Sequence, residues 1–115
     1  MGTAAYTKLK NMYFGETAAG RKPDIFSALQ EGKPVAELYL ITFAQNPEEQ
    51  LDIVPSHMLV QKNIRRRLPV IAGAAIGRRE ALELVEKMAS DAMIHTGGCR
   101  LQEYLLQTGG TEELR

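Results

Sequence analysis

The strongest constraint on how this chain can fold lies in residues 35–44, VAELYLITFA. The run is rich in β-branched and aromatic residues and is bounded by Pro34 and by Asn46-Pro47, so it reads as a strand. Alternate residues of a strand face opposite sides. Val35, Glu37, Tyr39, Ile41 and Phe43 share one side, and Ala36, Leu38, Leu40, Thr42 and Ala44 share the other. Both sides are mainly apolar, so the strand needs cover on both. A second run, residues 68–76 (LPVIAGAAI), makes the same demand. One of its faces carries Pro69, Ile71, Gly73 and Ala75, and side chains that small predict the close approach of another element.

The remaining elements fill in around these two strands. Tyr6, Leu9, Met12 and Tyr13 fall at helical spacing and predict a short amphipathic helix within residues 4–14. Residues 15–22 read as a mobile loop, and Pro23 opens a second short helix that Gly32-Lys33-Pro34 ends. Residues 51–54 form a partner strand stopped by Pro55. Ser56 is placed to cap a helix over residues 57–67. Gly77 turns the chain into the longest helix, about residues 78–94, with Ala81, Leu82, Val85, Met88, Ala89 and Ala92 on its apolar side. Glu83 and Lys87 are spaced for an ion pair on its polar side. A short helix over residues 100–107 follows, and residues 109–115 read as a frayed end.

The expected fold is therefore α+β. A small, mostly antiparallel three-stranded sheet, order 2-1-3, packs with a long C-terminal amphipathic helix and shorter helices. At 115 residues the chain reads as one domain, with residues 1–22 partly flexible. A three-stranded sheet with helices on one side leaves an apolar face open, to be covered by the N-terminal helices or by a second subunit, and a homo-oligomer formed through that face is the favoured expectation.

Charge and composition exclude several classes. Lys and Arg total 14 and Asp and Glu total 14, so no net field draws the molecule to nucleic acid or anionic lipid. The N-terminal residues lack a signal-peptide core, and no apolar run approaches membrane-spanning length. A single cysteine, Cys99, excludes an internal disulfide and fits a cytoplasmic location. Tyr6 stands where an N-myristoylation motif requires Ser or Thr.

Candidate sites are few. The strand–Gly77–helix junction offers free backbone N–H groups with Arg78 and Arg79 in the first turn, a plausible anion site for phosphate or carboxylate. Gly73 and Gly77 do not make a dinucleotide fingerprint, and no P-loop lysine is present. Lys62, Arg65, Arg66 and Arg67 form the one basic cluster, without neighbouring aromatics to stack on bases. His57, His95 and Cys99 do not have metal-ligand spacing, so no metal or cofactor is expected. Glu37 in the first strand is placed for a raised pKa, and Asp52 in the hairpin is expected to face solvent. The expected function is a non-enzymatic module that associates with itself, a protein or a small ligand. The alternative is an enzyme, or enzyme subunit, that binds an anionic small molecule at Gly77-Arg78-Arg79. Nucleic-acid binding ranks last.

Overall fold

The computed structural model describes residues 6–46, 49–98 and 100–114. In chain order the elements are β1 (Tyr6–Phe14), α1 (Glu16–Ala19), α2 (Lys22–Glu31), β2 (Leu38–Phe43) and β3 (Leu51–Pro55). A 3-10 helix (Ser56–Val60) and α3 (Lys62–Arg67) lead to β4 (Ile71–Ile76). The chain continues through α4 (Arg78–Thr96), α5 (Leu101–Gln107) and β5 (Thr111–Leu114). All five strands join one mixed sheet in the order β3-β2-β4-β1-β5. β1 runs parallel to β4, and every other pairing is antiparallel.

This corrects the expected three-stranded sheet, which lacked β1 and β5. Residues read as an N-terminal helix are β1, paired to both β4 and β5. The helical spacing has a cause in the strand itself. From Lys8 to Tyr13 β1 advances five residues while β4 advances only from Ile71 to Gly73. Such an irregularity breaks the two-residue period and lets apolar side chains recur at intervals of three. The supposedly frayed end supplies β5, which buries Leu114 and sets Glu112 against the buried Lys8, with Nζ to Oε2 2.6 Å. The longest helix is also not C-terminal, because α5 and β5 follow it.

Other boundaries shift for local reasons. β2 begins only at Leu38, because Glu37 takes a left-handed conformation with φ 60° and its carbonyl accepts from Gly77 N–H at 2.7 Å. Glu37 is consequently an exposed turn residue and not a buried strand acid. The helix expected over residues 57–67 is two pieces, parted at Gln61 in an extended conformation. Ser56 does not cap it; its hydroxyl instead bonds both the N–H and the carbonyl of Val35. Residues 15–22 hold α1 and the start of α2 in place of a loop.

Helices cover both sides of the sheet. On one side α4 and α5 pack over Leu9, Ile41, Phe43, Ala72 and Ala75. On the other, α1, α2 and the 3-10 helix pack over Tyr6, Leu38, Leu40, Ile71 and Ala74. A second bulge explains how β4 serves both layers. Ile41 opposes Gly73 and Thr42 opposes Ile71, so Ala72 is the extra residue. The small side chains of β4 do mark close approach: a Cβ on Gly73 would lie 3.0 Å from the Tyr13 carbonyl and 3.2 Å from Leu84 Cδ2.

α4 is rotated from its expected face. Ala81, Leu84, Met88 and Ala92 are buried, whereas Leu82 and Ala89 lie exposed. Glu83 pairs with Arg79 and Lys87 with Asp91, so the expected Glu83–Lys87 bridge is replaced. Because the chain covers both sheet faces with its own helices, the premise for oligomerisation through an open sheet face is removed. No helix among the described residues is long and apolar enough to cross a membrane.

Candidate functional site

Two candidate ligand sites among the described residues differ in what already occupies them. The first is the crevice at the carboxyl ends of β1 and β4. These neighbours are parallel, and the chain leaves β1 for a helix on one face and β4 for a helix on the other. Divergence of that kind is where open α/β sheets commonly bind ligands. Gly77, Arg78 and Arg79 stand here, Gly77 with φ 89°.

Backbone donors at the crevice are answered by the chain itself. Glu80, in the first turn of α4, accepts from Ile76 N–H at 2.7 Å and Ala18 N–H at 3.3 Å through Oε2. Its Oε1 accepts from Thr17 N–H at 2.9 Å. Partial burial pushes this carboxyl upward, but the backbone donors of Ile76, Thr17 and Ala18 outweigh it and hold the pKa below the ordinary range. One side chain thus satisfies donors at the start of α1 and at the end of β4. Arg78 is exposed, and Arg79 points outward to Glu83 at 3.5 Å. An arriving anion would meet the Glu80 carboxylate.

The second place is a cleft of about 620 Å³ between the β2–β3 hairpin and α3. That volume lies within the range of small-molecule sites. One wall is the sheet, where Thr42 and Asp52 are direct cross-strand partners on β2 and β3. The facing wall is α3, where Asn63 and Arg67 are four residues apart and share a helix face. Val54, Met58, Ile64, Leu68 and Pro69 make the rest of the lining largely apolar. Gln45 Nε2 donates to the Arg67 carbonyl at 2.9 Å and ties the end of α3 to the end of β2.

Four polar side chains of this cleft have no partner among the described residues, and two of them, Asn63 and Arg67, are exposed. Thr42 is only 1% exposed, and its Oγ1 makes no hydrogen bond. A buried hydroxyl left unpaired costs about 1–3 kcal/mol. Among the described residues Asp52, Asn63 and the Arg67 guanidinium make no hydrogen bond or ion pair either. Asp52 is half-buried on the cleft wall and does not simply face solvent.

The structure disperses the remaining candidates. Arg65 lies beside Tyr6, whose hydroxyl pKa burial raises and the Arg65 charge partly restores, and the Arg65 Nε is buried without a hydrogen-bond partner among the described residues. Lys62, Arg66 and Arg67 are exposed on α3, Lys62 and Arg66 one turn apart, and Arg67 also lines the cleft. His57 is exposed on the 3-10 helix. His95 stacks on Tyr104 with ring centroids 5.2 Å apart, and its Nδ1 lies 2.8 Å from the Asp91 carbonyl. Cys99 lies outside the described residues. Tyr13 donates to Asp91 at 2.8 Å, and burial together with that carboxylate raises its pKa well above the ordinary value. Among the described residues no three His, Cys, Asp or Glu side chains gather in a way that could hold a metal.

Sequence reasoning placed Arg67 in a basic cluster, turned Asp52 to solvent, and missed Thr42 and Asn63. A threonine in an otherwise apolar strand, opposite an aspartate across a short hairpin, was the available signal. No family model, curated protein or solved structure matches this chain.

Proposed function

We propose that the protein is a non-enzymatic binding module that takes a small, mainly apolar ligand in the cleft between the β2–β3 hairpin and α3. The observation that carries this reading is the buried, unpartnered Thr42 hydroxyl in an apolar cleft with Asp52, Asn63 and Arg67 unpaired around it. Buried polar groups are nearly always hydrogen-bonded, and an exception beside a cleft is a candidate place for a partner from outside the chain. Binding is favoured over catalysis because Asp52 is the one acid among the described residues of the lining, which contains no histidine, lysine or cysteine to act with it. Self-association through a sheet face is not part of this reading, since helices cover both faces.

Amide-detected NMR with a library of small apolar and amphipathic fragments tests it. The expected result is a set of shifts centred on Thr42, Asp52, Asn63, Ile64 and Arg67. A library of several chemical classes that leaves all five unmoved would overturn the reading.

A further inference from the structure

Resting on the binding reading above, we infer that the ligand is an amphipathic zwitterion: a free apolar amino acid, or a short apolar peptide with both termini unblocked. The argument lies in how the cleft distributes its charges. The sheet wall presents the Asp52 carboxylate beside the Thr42 hydroxyl. The helix wall presents the Arg67 guanidinium one turn from the Asn63 amide. The two charges line one cleft, yet they form no ion pair with each other. Each is therefore free for a group of opposite sign. A half-buried carboxylate attracts an ammonium, and a guanidinium matches a carboxylate in shape and hydrogen-bonding pattern.

The ligand's ammonium goes to Asp52, beside the buried Thr42. Its carboxylate goes to Arg67 and the Asn63 amide. The apolar side chain then lies against Met58, Ile64 and Leu68. A purely anionic ligand leaves Asp52 opposed by like charge, and a purely cationic one does the same to Arg67.

Isothermal titration with the intact protein tests the assignment. Leucine, methionine, phenylalanine and the dipeptide Leu-Leu are compared with N-acetyl-leucine, which lacks the cation, and leucinamide, which lacks the anion. Binding of one of the unblocked compounds is expected, with each charge-deleted analogue weaker by about tenfold or more. Tighter binding by Leu-Leu than by leucine identifies the peptide as the source, and the reverse identifies the amino acid. Asp52→Asn should weaken the ammonium-bearing ligands, leucinamide included, while sparing N-acetyl-leucine. Arg67→Gln should do the converse. Equal affinity for blocked and unblocked compounds overturns the zwitterion assignment. So does failure of all of them while neutral fragments still shift Thr42 and Ile64 in the NMR screen, and in that case the cleft remains a binding site. Failure of every compound in both experiments removes both readings.

Discussion

The β1–β4 crevice and the hairpin–α3 cleft pose the same physical problem and solve it differently. In each, the fold gathers polar groups around a member that is partly or fully buried. At the crevice one carboxylate, Glu80, answers three N–H donors, and the site is complete within the chain. At the cleft the hydroxyl, the carboxylate, the amide and the guanidinium remain unanswered among the described residues. A fold's habitual ligand position is thus a weaker guide than the state of its hydrogen bonds. The crevice serves stability, and the cleft holds uncommitted bonding capacity.

The sharpest way to break this contrast is at Glu80. Glu80→Ala leaves three donors without their acceptor, and water can reach part of the site, so a loss of about 2–4 kcal/mol is expected. Urea unfolding measures it. Glu80→Gln keeps an acceptor and should lose roughly half as much. The same residue predicts a pH dependence. Its folded pKa is depressed, so its contribution is complete above the unfolded carboxyl's 4.5 and disappears as pH falls through the lower folded value. Wild-type stability should decline through that acid range, and Glu80→Gln should decline less. Equal slopes would show that Glu80 is not the crevice's anion.

A smaller effect is expected beside the crevice, where β1, β4 and α4 meet at Gly73. An added Cβ must displace the Tyr13 backbone or the Leu84 side chain. Gly73→Ala should therefore cost about 1–3 kcal/mol, again by urea unfolding. An unchanged midpoint would mean that the layers have slack there.

These two sites were unequally legible in the sequence. β2 and β4 could be read because burial on both faces leaves long apolar runs. β1 could not, because its irregularity against β4 disguised Tyr6, Leu9, Met12 and Tyr13 as a helical stripe. β5 has the sequence TEEL, and only Leu114 of it is buried. Its place in the sheet depends on pairing with a strand more than a hundred residues earlier. The Gly77 junction was visible from the glycine and the arginines that follow it. That Glu80 would fill it depends on α1 beginning just across from α4. The cleft was the least legible. It requires the break at Gln61, which sets α3 apart from the 3-10 helix, and the hairpin register that places Asp52 opposite Thr42.

Thr42 tests the other half of the contrast, with the sign reversed. If its hydroxyl serves a ligand and not the fold, Thr42→Val removes an unpaired buried polar atom at nearly constant volume. The free protein should gain about 1 kcal/mol of stability while losing affinity for whatever the cleft binds. Denaturation midpoints and titration on the same samples measure both. A loss of stability would show that Oγ1 is bonded within the folded chain.

The smallest stability effects belong to Asp52 and Arg67, and their smallness is the informative part. Removing a charge destabilises a protein when a partner is left behind, as at Glu80. Asp52 has Thr42 across the strand pair but no cation within bonding distance, and Arg67 has no carboxylate among the described residues. Asp52→Asn and Arg67→Gln should each fall within about 0.5 kcal/mol of wild type in urea unfolding. The double variant should equal the sum of the two, since uncoupled sites are additive. A coupling above about 0.5 kcal/mol would mean that the two charges already interact across the cleft. The cleft would then be answered from within, as the crevice is, and its affinity for an external zwitterion would have to overcome that pairing.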